Sequence, residues 1–243
     1  MSSWIICPQP RLHPKIKLIC FAYAGGSGWI FRNWAEHFPE TVEVYAIELP
    51  GRGRRISEPV LIEINSLIQT LGPKLLPNLN TPFVFFGHSL GALVAFELCR
   101  WLKYMTQLTP VQMWVSAARA PHLPAETPPI HNLPEPAFID ELQRYQGTPA
   151  SALKNRELMA LMIPALRADF SILETYQYQP GLKLSCPIVG FWGQQDTIVS
   201  KNEVLAWQIH TDSFSLKEIH GNHFFMHQPM FPQQLRQKMV KLL

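Results

Sequence analysis

Ser89 stands between Gly87 and Gly91 in the stretch Phe83-Val84-Phe85-Phe86-Gly87-His88-Ser89-Leu90-Gly91-Ala92-Leu93. A run of β-formers leads up to the first glycine, and an amphipathic helical pattern through Ala92, Leu93, Phe96 and Leu98 follows the serine at once. In that strand-turn-helix context Gly-x-Ser-x-Gly lifts a serine hydroxyl clear of a sheet, because side chains two positions to either side would collide with the turn. The backbone N–H of Leu90, at the helix start, then faces any oxyanion formed at the serine.

A serine hydroxyl is a weak nucleophile near neutral pH, so it needs a base, and the base needs a partner that fixes its tautomer. Two loops supply them. Asp196 lies four residues beyond the apolar run 187–192, and His223 four beyond the run 214–219, so both fall on the sheet edge that carries Ser89. Among the other histidines, His88 should point away from its neighbour, His220 lies too near a strand end, and His227 sits in a helix-like run; His210 also competes. Gly221 and Asn222 make the turn that a projecting base needs, which favours His223. Asp169 and Asp212 rival Asp196, which follows Gly193 at a strand end.

The run 15–23 feeds the glycine-rich turn Ala24-Gly25-Gly26-Ser27-Gly28, which has neither the Gly-x-Gly-x-x-Gly nor the Gly-Lys-Ser/Thr pattern of nucleotide loops. Beside the serine elbow it reads as the second half of an oxyanion hole, with the N–H of Ala24 as donor and that of Gly25 as the alternative. Arg52, Arg54 and Arg55 follow the next strand, 42–49, and read equally as an anion site or as a solvated loop.

These groups must be positioned by a sheet. Strands expected at 15–23, 42–49, 83–86 and 111–117 alternate with helices at 29–38, 62–76 and after the elbow, which predicts a mostly parallel, doubly wound α/β sheet. From 119 to 185 no strong strand pattern occurs. Six prolines open that segment, and helical runs with apolar faces succeed them. It reads as a helical lid insertion, approximately 121–184, over the carboxyl edge of a single domain spanning 1–243, with Leu158-Met159-Ala160-Leu161-Met162 as a face to line an acyl pocket or to pack on the main domain.

With 243 residues, 47% hydrophobic and 16% charged, the chain can bury a full core, and a formal charge of +3 is too small to indicate nucleic acid or an anionic membrane. Cys7, Cys20, Cys99 and Cys186 are scattered, without metal-site spacing, and read as reduced thiols of a cytoplasmic protein. The apolar patch Trp4-Ile5-Ile6 is too short for a secretory signal, and no run reaches the roughly 18 apolar residues of a spanning helix.

Taken together, Phe21-Ala22-Tyr23-Ala24-Gly25-Gly26-Ser27, Leu49-Pro50-Gly51-Arg52-Gly53-Arg54, Gly87-His88-Ser89-Leu90-Gly91, Leu166-Arg167-Ala168-Asp169-Phe170, Gly193-Gln194-Gln195-Asp196 and Gly221-Asn222-His223-Phe224-Phe225 resemble the type II thioesterases, stand-alone α/β-hydrolases that accompany polyketide and nonribosomal peptide synthetases. The resemblance spans nearly the whole chain and departs at Tyr23, where the family often has histidine. It implies an α/β-hydrolase fold and hydrolysis of acyl or aminoacyl thioesters on the phosphopantetheine arm of acyl or peptidyl carrier domains. The chain is expected to act as a monomer with no cofactor or metal of its own, with Ser89, Asp196 and His223 as catalytic residues and Ala24 and Leu90 as oxyanion donors. The competing readings are a medium-chain fatty acyl thioesterase, a general carboxylesterase, or a hydrolase-like scaffold; the last would require a broken triad.

Overall fold

The computed structural model describes residues 3–125 and 127–243. Seven strands form one sheet: β1 (Ile5–Ile6), β2 (Ile16–Phe21), β3 (Val42–Ile47), β4 (Phe83–His88), β5 (Gln112–Ser116), β6 (Ile188–Gly193) and β7 (Phe214–Ile219). Their order across the sheet is β1-β3-β2-β4-β5-β6-β7, with every neighbouring pair parallel except β1 and β3. All six residues of β4 are buried, as suits a central strand covered on both faces.

Alternation along the strands divides the core. Ile19, Phe21 and Phe85 face one side with Leu67 and Leu71 of α1 (Ile64–Leu75) and Leu93 and Phe96 of α2 (Leu90–Thr106). Leu18, Cys20, Val84 and Phe86 face the other, against Phe31, Trp34 and the C-terminal helix Met230–Val240. Between β5 and β6 lie α3 (Glu135–Tyr145), α4 (Ala150–Leu153) and α5 (Arg156–Thr175). These helices bury a cluster of their own, with Phe138 and Leu142 against Met159, Ile163, Leu166 and Phe170.

The sheet register fixes where the loops emerge. His88 pairs with Ser116, Ser116 with Phe191, and Gly193 with Ile219, so the turns after β4, β6 and β7 leave along one carboxyl edge. In open α/β sheets this is the ligand-binding edge.

Two elements depart from the periodicity. The helix expected over 29–38 is instead two short 3₁₀ turns, Gly28–Phe31 and Trp34–His37. Across the break between the two turns, Phe31 meets Trp34 edge to face at 4.9 Å. The patch around Trp4 forms β1, the antiparallel rim strand, over which the Arg55 guanidinium lies 3.7 Å from the Trp4 ring. The four cysteines are free thiols, and Cys20, Cys99 and Cys186 are buried. Among the described residues, no helix is long and apolar enough to cross a membrane.

Candidate active site

Ser89 takes φ 53° and ψ −117°, a backbone conformation that costs an L-residue energy and persists only where its surroundings enforce it. Its amide donates to Ser116 O at 2.8 Å, which ties the turn to β5. The flanking glycines are obligatory. A Cβ on Gly87 would lie 2.3 Å from Gly91 O, and one on Gly91 would lie 2.1 Å from Phe21 O, both backbone atoms with nowhere to go. Leu90 is the first residue of α2, where amides have no intrahelical acceptor.

Asp196 and His223 meet as their spacing predicted. His223 Nδ1 lies 2.8 Å from Asp196 Oδ2, with side chains 6% and 0% exposed respectively. Asp196 Oδ1 accepts the amides of Ile198 (2.8 Å) and Val199 (3.0 Å), so both carboxylate oxygens are committed and the one facing His223 is held in place. Nδ1–H donation to Asp196 leaves Nε2 as the basic nitrogen. On the histidine's own loop, Gly221 has φ +143° and Asn222 Oδ1 accepts the Phe224 amide. Among the described residues the Ser89 hydroxyl has no hydrogen-bond partner; such contacts often close only around substrate.

Among the described residues, every rival side chain except that of the exposed His220 has another engagement. His88 is fully buried, with Nδ1 2.9 Å from Ser116 Oγ; burial first, and then His223 and His227, hold its pKa well below the ordinary histidine value, so it is neutral. His210 pairs with His122 at 2.9 Å, Asp212 with Lys183 at the surface, and His227 with the Tyr23 hydroxyl at 2.9 Å. Asp169 is locked to Arg52. Neither sequence reading of the arginines fits Arg52 or Arg55. Both are buried, and Arg55 donates to Glu48 O and pairs with Glu58, whereas Arg54 is exposed.

The sequence offers the amides of Ala24 and Gly25 as the second oxyanion donor. That of Gly25 donates to Asp169 Oδ2 at 2.7 Å, whereas that of Ala24 has no acceptor among the described residues. Tyr23 and Phe224, not singled out from sequence as site residues, pack edge to face at 5.0 Å between the two loops. Their signal was proximity in sequence to Ala24 and His223.

The helices over this edge touch both loops. A Cβ on Gly147, just after α3, would lie 2.8 Å from Phe224 Cζ, and one on Gly25 would lie 2.4 Å from Leu166 Cδ2 of α5. The face expected to line an acyl pocket is divided: Met159 is buried among these helices, while Leu158 and Leu161 are 38% and 59% exposed. A groove of about 930 Å³ runs along the far half of α2, by Glu97, Arg100 and Tyr104, and includes none of Ser89, Asp196 or His223. Among the described residues no cluster of three His, Cys, Asp or Glu is arranged to hold a metal.

Comparison with known proteins agrees with the geometry. Residues 16–238 match the family model described as Thioesterase domain. The chain is 40% identical over 230 residues to a Brevibacillus parabrevis protein named linear gramicidin dehydrogenase LgrE, covering 93% of this chain and 88% of that one. It is 36% identical over 232 residues to the gramicidin S biosynthesis protein GrsT of Aneurinibacillus migulanus, covering 95% and 91%. Among solved structures, the type II thioesterase BorB from the borrelidin biosynthetic cluster superposes with a TM-score of 0.89 at 32% identity, over 99% of this chain and 97% of that one.

Proposed function

The chain belongs to the thioesterase family and is a thioester hydrolase, and we propose that it clears acyl and aminoacyl groups from the phosphopantetheine arms of carrier domains in polyketide or nonribosomal peptide synthesis. The relatives named for gramicidin S biosynthesis and the borrelidin cluster support that setting. The observation that carries the chemistry is the buried 2.8 Å contact between His223 and Asp196 on the edge that holds the Ser89 elbow.

In this reading Ser89 Oγ attacks the thioester carbonyl while His223 Nε2 takes its proton. Asp196 holds the imidazole in the required tautomer and offsets its charge. The tetrahedral oxyanion accepts from the amides of Leu90 and Ala24. The C–S bond then breaks, the proton passes from His223 to the departing pantetheine sulfur, and an acyl-Ser89 ester remains. Water, deprotonated by His223, attacks that ester and releases the carboxylic acid as Ser89 regains its proton. None of these steps draws on a cofactor. The insertion 121–184 acts as the lid, and an acyl chain enters when its α3–α4 part moves away from Phe224.

The test compares the parent protein and Ser89→Ala on an acyl-loaded carrier protein, the matching acyl-coenzyme A and a p-nitrophenyl ester, following released acid by mass spectrometry. The parent should prefer the carrier thioester, and Ser89→Ala should lose at least about 10⁴-fold in kcat. Parental turnover by Ser89→Ala would overturn the triad. A preference for medium-chain acyl-coenzyme A or for the simple ester would favour the fatty acyl thioesterase or carboxylesterase reading.

A further inference from the structure

The turn Tyr23–Gly26 is held from three directions. Within the turn, Gly26 N donates to Tyr23 O at 2.8 Å. From α5, Asp169 Oδ2 accepts the Gly25 amide at 2.7 Å. From the loop after β3, Arg52 Nη1 donates to Gly26 O at 3.3 Å. The same Arg52 grips Asp169 in a two-pronged pair, Nη1 to Oδ2 at 2.5 Å and Nη2 to Oδ1 at 2.7 Å, with the two residues 7% and 1% exposed. Such fork-on-carboxylate geometry fixes orientation as well as distance.

The amides of Gly25 and Gly26 are therefore spent, whereas that of Ala24, next to them in the turn, has no acceptor among the described residues. Fixing the Gly25 N–H fixes the plane of the Ala24–Gly25 peptide, and Gly25's φ of +78° sets the bend that follows. Leu166, three residues before Asp169 on α5, packs on Gly25, so one helix face both presses on the turn and bonds to it.

We propose that Arg52 and Asp169 are positioning residues for the oxyanion hole, aiming the Ala24 amide at Ser89 by pinning the Gly25 peptide and the Gly26 carbonyl. The proposal rests on the serine-hydrolase reading above. As a corollary, α5 is a stationary wall of the site, and lid opening belongs to α3 and α4, whose connecting residue Gly147 rests on the tip of the Phe224 ring. A pair buried this deeply costs desolvation that a hydrophobic pair of similar volume would avoid, so its place beside the turn needs a reason other than stability.

The experiment uses the full chain with the double replacement Arg52→Met and Asp169→Leu, which removes both buried charges together and avoids stranding one. Far-UV circular dichroism and thermal melting establish folding. Three quantities are then compared with the parent. They are kcat on an acyl-pantetheine thioester, affinity for an alkyl trifluoromethyl ketone that adds to Ser89 as a tetrahedral oxyanion, and affinity for the matching S-alkyl-pantetheine thioether, which lacks the reacting carbonyl. A misaimed donor should lower kcat and trifluoromethyl ketone affinity together, by about 10²-fold, and leave thioether affinity within about threefold. Asp169→Asn, whose amide oxygen still accepts the Gly25 N–H, should retain about tenfold more kcat than Asp169→Leu. Parental kcat and ketone affinity in a folded double variant would overturn the proposal, and so would an equal loss of thioether affinity. Full turnover by Ser89→Ala would instead remove the reading beneath it.

Discussion

The elbow and the helical cover meet over the same carboxyl edge of the sheet, yet they are built on different principles. At the elbow, backbone meets backbone: carbons added to Gly87 and Gly91 would strike the carbonyls of Gly91 and Phe21 at 2.3 and 2.1 Å. In the cover, contact is made by side-chain tips, as where Gly147 faces the Phe224 ring, and Leu158 and Leu161 reach into solvent. Backbone contacts cannot yield without unravelling a strand, whereas side chains can swing. The result is a rigid seat under a yielding roof, which suits the proposed clearing of acyl groups from carrier domains.

The largest effect expected on the seat is chemical. Asp196→Asn should preserve the fold and lower kcat by about 10⁴-fold, because the histidine would adopt the wrong tautomer. A loss below about tenfold would mean that the seat does not depend on this contact. Next comes Gly91→Ala, expected to cost at least about 3 kcal/mol in urea denaturation because a strand and a helix must part to admit one methyl. A cost under about 1 kcal/mol would erase the contrast with the cover.

Acidification should expose a weakness of the core behind α2. His210, packed on Phe96 at 4.9 Å, has its pKa pushed down to about 4, chiefly by burial and further by His122 and Arg100. The folded protein holds it neutral, while an unfolded histidine takes up a proton below about pH 6.5. Stability is therefore complete above about pH 6.5 and declines as pH falls toward 4. Thermal melts across that window should show a shallower decline for His210→Phe than for the parent. Smallest of all, Leu161→Ala on the cover's outer face should change stability by no more than about 0.5 kcal/mol; a loss near 2 kcal/mol would show that this leucine has a buried partner.

What could be read in advance divides along the same line. Ser89, Asp196 and His223 were legible because each sits at a short offset from a strand end, and parallel strands send their ends to one edge. The Arg52–Asp169 pair was not, since its members are 117 positions apart and no local period links them. The available signal was an aspartate between Leu166, Phe170 and Leu173 on an otherwise apolar helical face. The 3₁₀ turns at Phe31 and Trp34 were missed because near-helical spacing of aromatics does not separate three residues per turn from 3.6. β1 was missed because two residues carry no period at all.

The borders of the sheet have a practical result. One is a strand only two residues long, and the other, β7, displays Lys217 and Glu218, the latter tied to Lys201 at 2.6 Å. Short or charged rims are poor templates for a foreign strand. Edge-to-edge pairing of this sheet with a second chain is therefore disfavoured at both of its borders.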